Sequence, residues 1–547
     1  MMEIMISNPG ELAVKNVQYP NAAEYYCLLP YETETVSGVM LAMGGRASVP
    51  PAAVPLECRG RYKIYIALFS GFYQMPEVRI KLDHEQSFQK LSLRRTNHEE
   101  FYDSAVSIYE VFWKEADLNG NSLVFDGSLL SGELPSAIAY IRLEESNSRQ
   151  VPQKQPVPVA ITADGWGAFG YCPHQKSEDL LVNFEQIPRD LNIKLLFWGN
   201  GVGDWCNYPT KIGNYFSKYT SPIDIRADDM NILQRNAQIW QKQSWDSMAI
   251  VREYARQRGW EFHVYIRMQG FGVLYPKGML VQSDFFAAHP EYYCRDKQGV
   301  PVCKLSYAYP AVQEHMLALI EEILTYQPDG ICLNFTRGLP MVLYEDVLVE
   351  QYQALYHEDP RQLPEDEPRW LALQKDTVTA FIQKVKKVLN GRRLSVMVPG
   401  NPQDAEKYAL DIPRWVKDGY IDDLVVAGTR YNVHDVHVDD PTALDFDAYA
   451  SLEGRSKIRL MPLLYPWGFA ENRLGDWLRI YKHAAENGAD FLGFWDAEIN
   501  PPLRLPKLEI LNDIERFEKE NPLIYRKIPL KTFQGFRADR YHYFEQI

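Results

Sequence analysis

The spacing of apolar residues changes near residue 157. Before that point the chain holds short segments in which apolar and polar residues alternate, rich in β-branched and aromatic side chains. An Asn-Gly pair at 119–120 predicts a hairpin turn. The clearest strand segments are YKIYIALF (62–69), VRIKLD (78–83), SIYEVFW (107–113) and AIAYIRL (137–143). Because no helix separates them, residues 1–150 are predicted to form a β-sandwich, an accessory domain and a candidate carbohydrate-binding unit.

After the polar linker 146–158, apolar strands alternate with amphipathic stretches of helical period. The predicted strands are 158–164, 193–200, 261–267, 330–335, 394–400, 423–429, 457–465 and 491–496, and the clearest helices are 247–260, 312–326, 473–488 and 508–520. Eight strand–helix units are the number in a (β/α)8 TIM barrel, so we predict an α/β fold with the barrel over 151–520. Residues 521–547 are expected to be a C-terminal extension that packs on the barrel.

The predicted loops give this barrel a functional end. Helix-to-strand connections are short, whereas roughly 30 to 45 residues follow the second, third and fourth strands, and loops of that length are usually functional. They lie at the carboxyl ends of the strands, where barrel enzymes build their sites. The polar and aromatic residues at those ends are Asp164, Trp166, Trp198, Asn200, Asp204, Trp205, Arg267, Gln269, Asn334, Arg337, Arg430, Tyr465, Trp467, Trp495, Asp496 and Glu498.

Five of the 12 tryptophans of the chain fall in this set. Indole rings stack on the flat C–H faces of sugar rings, while sugar hydroxyls bind amides, carboxylates and guanidinium groups. A carbohydrate ligand therefore suits the set. The alternative is that these aromatic residues simply fill the top of the core beneath the long loops.

Composition narrows the classes of partner. The chain has 58 Lys and Arg against 72 Asp and Glu, a net charge of −14, and no basic stripe, which argues against a nucleic acid partner. No apolar run reaches the length of a membrane span, so no membrane partner is expected. The N-terminal residues lack the features of a signal peptide, which predicts a cytoplasmic protein or one whose leader was removed.

No cofactor or metal is expected. The segment GNGVGD (199–204) is similar to a dinucleotide-binding fingerprint, but Asp204 stands where glycine or alanine is required. The seven cysteines never form a CxxC pair, so they have no zinc-ligand spacing.

Two neighbouring segments carry a family resemblance. HPEYYCRDKQGVP (289–301) and SYAYPAVQEHMLALIEEILTYQPDGICLNFTRG (306–338) resemble the glycosyl hydrolase-like family 10 group of barrels. The resemblance implies a TIM barrel that hydrolyses glycosidic bonds. It also exposes a departure, because the family pattern usually has Asp where this chain has Asn334. The largest clan of barrel glycosidases carries its two acids on strands four and seven, which end here in Asn334 and Tyr465.

Strand alternation places Cys332 and Asn334 inside the barrel and Ile331 and Leu333 outside it. An amide at position 334 binds hydroxyls but cannot act as a general acid. Most glycosidases need two carboxylates, so we predict the pair to be Asp496 with Glu498 or Asp164. The predicted substrate-binding residues are Asn334, Arg337, Arg267, Arg430, Trp166, Trp198, Asn200, Asp204, Tyr465, Trp467 and Trp495.

Arg267, Arg337 and Arg430 either neutralise nearby acids or bind an anionic sugar. Three functions stay open at this point. The first is a glycoside hydrolase acting on a polysaccharide or oligosaccharide. If the arginines bind an anionic sugar, that substrate is an acidic glycan. The others are a non-catalytic glycan-binding barrel and a polysaccharide lyase with Tyr465 as its base.

Overall fold

The structure is a computed structural model. It describes residues 3–15, 26–43, 50–70, 77–85, 89–92, 107–126, 136–146, 157–170, 174–182, 184–187, 192–216, 228–271, 282–431, 437–439, 444–464, 474–495 and 525–537. No helix within these ranges is long and apolar enough to cross a membrane.

The first part of the chain forms two antiparallel sheets that face each other. Its strands are β1 (Glu3–Ile6), β2 (Tyr26–Glu32), β3 (Ser37–Met43), β4 (Ala52–Pro55), β5 (Arg59–Ser70), β6 (Glu77–Leu82), β7 (Gln89–Ser92), β8 (Ser107–Asn119), β9 (Ser122–Asp126) and β10 (Ser136–Glu145), with one helix, α1 (Pro9–Lys15). Strands β4, β9, β6 and β7 make the smaller sheet. Alternate residues of both sheets, such as Ile66 and Val111 from one and Ile80 and Phe125 from the other, share one core. The predicted sandwich is confirmed, as is the turn at Asn119–Gly120 between β8 and β9.

The barrel part contains fifteen strands and eleven α-helices within the described residues. The strands are β11 (Val159–Ala163), β12 (Ile193–Gly199), β13 (Gly201–Val202), β14 (Trp205–Cys206), β15 (Asn214–Tyr215), β16 (Glu261–Arg267), β17 (Tyr293–Arg295), β18 (Pro301–Leu305), β19 (Gly330–Asn334), β20 (Arg393–Pro399), β21 (Asp423–Ala427), β22 (Thr429–Tyr431), β23 (His437–Asp439), β24 (Arg459–Leu464) and β25 (Leu492–Phe494). The helices are α2 (Trp166–Gly170), α3 (Asp228–Gln243), α4 (Ser247–Arg258), α5 (Asp284–Ala288), α6 (Pro310–Leu324), α7 (Asp346–Tyr356), α8 (Pro368–Val388), α9 (Pro402–Lys407), α10 (Ile412–Lys417), α11 (Phe446–Ala450) and α12 (Leu474–Glu486).

Eight parallel strands close into a barrel in the order β11, β12, β16, β19, β20, β21, β24 and β25. The first and last pair directly, with Ile161 opposite Phe494, which closes the ring. All eight strands correspond to the predicted segments, and α4, α6 and α12 correspond to three of the predicted helices. The helix predicted over 508–520 lies outside the described residues.

The alternation predicted for the fourth strand is confirmed. Cys332 belongs to the cluster inside the barrel, together with Tyr265, Met397 and other inward residues. Ile331 and Leu333 belong to the layer between the barrel and its helices. Because period two holds along a strand, Asn334 continues the inward row at the carboxyl end.

The amino ends of the strands hold a partly buried ionic network. Arg459 donates hydrogen bonds to Glu261 (Nη1–Oε2 2.7 Å) and to Asp423 (Nε–Oδ1 2.5 Å). Arg393 also donates to Asp423, and the fully buried ring of His263 lies 2.7 Å from Glu261 Oε1. We call these five residues the barrel-base network. It lies at the end of the barrel where conserved positions usually serve stability rather than catalysis.

The end of the chain does not pack where we predicted. Strand β26 (Tyr525–Pro529) pairs antiparallel with β8. Strand β27 (Thr532–Phe533) pairs with β2 on one side and with β28 (Phe536–Arg537) on the other. The prediction that residues 521–547 pack on the barrel is therefore wrong for their described part. These strands complete a nine-stranded sheet of the sandwich, where Phe533 stacks on Phe69 with ring centroids 4.7 Å apart.

Candidate functional site

The first barrel strand ends in a carboxylate held by two donors. Gly165 has φ of +72° and no room for a Cβ, so the chain turns tightly after Asp164. Asp164 Oδ1 accepts a hydrogen bond from the backbone N–H of Gly167 at 2.7 Å. Its Oδ2 accepts one from Arg267 Nη2 at 3.1 Å. The same carboxylate thus caps the next turn and pairs with a cation from the third strand.

The fourth strand ends in Asn334, which is fully buried. Its Oδ1 accepts hydrogen bonds from Thr336 N (3.0 Å) and Thr336 Oγ1 (2.7 Å). Its Nδ2 donates to no group in the described parts of the chain. Since the carbonyl oxygen is fixed by Thr336, the amide N–H groups are the part of Asn334 left for a ligand.

Trp495 follows the eighth strand and lies inside the barrel, fully buried. The guanidinium carbon of Arg337 lies 5.4 Å from its ring centroid, within the range of a cation–π contact. The ring of Tyr265 also packs against the ring of Trp495, with the two ring centroids 5.6 Å apart. Trp495 therefore supports Arg337 from within the barrel.

A large groove opens at this end of the barrel and encloses about 1600 Å³. Its inner end, at the carboxyl ends of β16 and β19, is lined by Arg267, Gln269, Lys304, Thr336 and Arg337. Its outer end is lined by residues of the loops and helices beyond, among them Trp370, Glu365, Asp366, Lys375, Glu406 and Tyr408. Small-molecule pockets are typically about 300–1,000 Å³, so this groove suits a longer ligand.

Gln269 connects three chain segments at the inner end of the groove. Its Nε2 donates to the carbonyl oxygens of Leu305 (2.6 Å) and Pro340 (2.8 Å), and its Oε1 accepts from Leu305 N at 3.1 Å. The residue is almost fully buried. It therefore holds the β17–β18 hairpin and the loop after β19 against the end of β16.

Three predicted binding residues are not at the mouth of the barrel. Trp198 is fully buried in the layer between barrel and helices and contacts Phe184. Asn200 donates to the carbonyl of Gly203 within its own loop. Asp204 is buried with its Oδ2 3.0 Å from His315 Nε2, and burial raises the pKa of its carboxyl despite that partner.

The reason for this difference is local. Strands β13 and β14 form a tight hairpin immediately after β12, with glycines at positive φ at 201 and 203. The hairpin turns the chain back, so its polar side chains make hydrogen bonds within the loop and to α6 and do not line the groove. Trp205 is also buried in this hairpin. Among the described members of the predicted tryptophan set, Trp495 is the one that lies at the carboxyl end of the barrel.

The remaining predictions fall outside what the structure describes. This holds for the residues Asp496, Glu498, Tyr465 and Trp467 and for the side chains of Trp166 and Arg430. The pairing of β11 with β25 is described, and it makes the ends carrying Asp164 and Trp495 neighbours. The pairing of Asp164 with Asp496 or Glu498 stays a prediction.

Lys304 and Thr336 line the groove but were not predicted from the sequence. Lys304 lies on the loop hairpin β17–β18, and a single lysine in a polar loop carries no local signal of burial. Within the described residues, no group of three or more His, Cys, Asp or Glu side chains is arranged to hold a metal ion.

The sequence profile of the glycosyl hydrolase-like 10 family matches residues 228–431, which run from α3 to β22. The predicted resemblance is confirmed, and this part of the barrel is glycoside hydrolase-like. A search of curated proteins gave no match.

Several solved glycoside hydrolases are similar at a distance. The α-galactosidase of Thermus thermophilus aligns with a TM-score of 0.34 and 10% identity, covering 92% of this chain and 99% of that one. A ruminal GH26 endo-β-1,4-mannanase gives 0.31 and 11%, covering 85% and 88%. The β-galactosidase of Marinomonas ef1 gives 0.38 and 13%, covering 62% and 53%.

Proposed function

We propose that the protein is a glycoside hydrolase that cleaves a polysaccharide or oligosaccharide in the groove at the carboxyl end of its barrel. The observation that carries this proposal is the groove of about 1600 Å³ whose lining includes Arg267, paired with Asp164, and Arg337, which lies on the ring of Trp495. Carboxylate, guanidinium and amide groups beside an indole suit a sugar ring. The volume suits a chain of several sugars.

In this proposal Asp164 is the ionised carboxylate of the pair. Asp164 accepts hydrogen bonds from a guanidinium and from a backbone N–H, which hold its carboxylate in place. Such a group serves as nucleophile or as base. The leaving oxygen then needs a proton from a second carboxyl group, for which Asp496 and Glu498, just beyond Trp495, are the proposed sources.

Asn334 and Arg337 are proposed to hold the substrate. The free donors of Asn334 suit a sugar hydroxyl, because a buried N–H group without a partner costs roughly 1–3 kcal/mol that a bound hydroxyl would recover. Arg337, supported by Trp495, stands beside it at the groove.

One observation favours a second function. At the described strand ends of the mouth, Asp164 is the sole carboxylate, and it already caps a turn and pairs with Arg267. These are the contacts of a structural aspartate. A glycan-binding barrel without hydrolytic activity is therefore the alternative.

Incubation with a panel of neutral and acidic polysaccharides tests the proposal. We expect new reducing ends with at least one glycan, without absorbance of unsaturated uronate products. Unsaturated products together with reducing ends would instead support a lyase. Measurable binding of a glycan with no cleavage product would support the binding barrel and contradict hydrolysis.

A further inference from the structure

We propose that Lys304 forms an anion-binding subsite at the inner end of the groove and that the ligand is a glycan carrying carboxylate or sulfate groups. This inference deepens the proposed function and rests on it only in taking the ligand to be a glycan. It differs from the predicted arginine cluster, because the group that recognises the anion is a lysine of the β17–β18 hairpin.

The first observation is the position of the ammonium group. Lys304 lines the same end of the groove as Arg267 and Arg337, which extend from the ends of the neighbouring strands β16 and β19. Its Nζ donates to the carbonyl oxygen of Gln269, two residues beyond Arg267, at 3.3 Å. The ammonium is thereby fixed beside the reacting end of the barrel.

The second observation is that this cation lacks a carboxylate. In the described parts of the chain, its hydrogen-bond partner is a neutral carbonyl, and the titratable groups that act on it are the thiols of Cys303 and Cys294. Burial lowers the pKa of the Lys304 ammonium, and the two thiols oppose that effect only in part. Charges withdrawn from water are normally paired, so a half-buried ammonium that lines a groove suits an anionic ligand.

The other charges of the groove are arranged differently. Lys375 at the outer end pairs with Glu406 at 2.7 Å, and Lys297 donates to the carbonyl of Leu363. Arg267 is neutralised by Asp164. In a chain whose net charge is −14, the inner end is thus a local cationic site that contains Lys304 together with Arg267 and Arg337.

The binding test uses the full chain and three size-matched ligands: an oligouronate, its carboxyl-reduced neutral form and a sulfated oligosaccharide. Titration calorimetry on the wild-type protein, Lys304→Met and the control Lys386→Met gives the dissociation constants. We expect one anionic ligand to bind the wild type about 10- to 100-fold more tightly than the neutral one, which is the range of a charge-assisted hydrogen bond. Lys304→Met removes that preference, whereas Lys386→Met, which loses an ion pair with Asp422 outside the groove, retains it.

The identity of the favoured ligand separates a carboxylate from a sulfate. Equal wild-type affinity for charged and neutral ligands overturns the proposal, as does an equal loss of both in Lys304→Met. Because this test measures ligand binding and not products, absence of cleavage would contradict only the proposed hydrolysis.

A second measurement needs no variant and so does not depend on folding of Lys304→Met. Amine-reactive labelling of the wild-type protein is followed by mass spectrometry at Lys304 and at Lys375. We expect saturating anionic ligand to slow labelling of Lys304 several-fold more than saturating neutral ligand does. Equal labelling rates of Lys304 with the two ligands would overturn the proposal.

Discussion

At the scale of single residues, Asp164 has contacts that serve both structure and chemistry, and an isosteric change separates them. In Asp164→Asn the amide oxygen still accepts from Gly167 N–H, but the charge opposite Arg267 is lost. We expect activity to fall by about 10²–10⁴, the usual contribution of a carboxylate to acid–base catalysis, with little change in melting temperature. Initial rates and thermal melts check this.

The matched control is Asp329→Asn. Asp329 also accepts a backbone hydrogen bond, from Phe262 N at 2.8 Å, but at the opposite end of the barrel. This variant should keep its activity. Equal loss of activity in the two variants would show that Asp164 acts through structure alone.

Residue positions also show what sequence can and cannot predict. Asn334 was placed correctly because alternation along a strand is a local rule. Asp204 was not, because the hairpin that turns it toward His315 depends on glycine backbone angles after β12. Lys304 was missed because its burial comes from loops that meet only in the folded chain.

At the scale of elements, the groove depends on how the loops are joined. Gln269 makes three hydrogen bonds between β16, the β17–β18 hairpin and the loop after β19. Gln269→Met keeps the volume but leaves buried backbone groups without partners, at roughly 1–3 kcal/mol each. We expect faster hydrogen exchange over 293–305 and 338–344 and weaker glycan binding.

Gln313→Met provides the comparison for that change. Gln313 is also buried, donates to Tyr307 O at 2.6 Å and accepts from Lys384, but it lies on α6 behind the groove. We expect it to lower stability and to leave glycan affinity unchanged. If Gln269→Met affects affinity no more than Gln313→Met, the loop junction has no special part in binding.

The barrel strands could be predicted because strands buried on both faces are nearly continuous apolar runs. The C-terminal strands could not. The segment YRKIPLKTFQGFR (525–537) is short and polar, and its partners β8 and β2 lie about 400 and about 500 residues earlier in the chain. No local pattern encodes such a pairing.

At the scale of the whole molecule, the barrel-base network predicts how stability depends on pH. Burial acts to raise the pKa of Glu261 and of Asp423, but hydrogen bonds to the two carboxylates outweigh burial, so both pKa values are lowered. Glu261 accepts these hydrogen bonds from His263 and Arg459, and Asp423 accepts them from Arg459 and Arg393. A carboxyl whose folded pKa lies below its unfolded value of about 4 stabilises the fold above that pH. Stability from these groups is therefore complete above about pH 4–5 and declines as pH falls through the folded pKa values.

Arg459→Met tests this prediction. Arg459 is one of the guanidinium partners of the fully buried Asp423, so we expect the urea midpoint at pH 7 to decrease when it is removed. The variant should also lose less stability than the wild type between pH 5 and pH 3, because its carboxyls are no longer held ionised. Parallel pH curves for the two proteins would contradict the assignment.

The return of the chain end to the sandwich has a consequence for biosynthesis. A ribosome makes β1 to β10 before the barrel, and β26 to β28 emerge only after the barrel strands. Until then the edges of β8 and β2 stay open, and such edges invite pairing with other chains. The barrel can fold during synthesis, but the sandwich sheet is completed last, so nascent chains stalled before residue 525 should be the ones that aggregate.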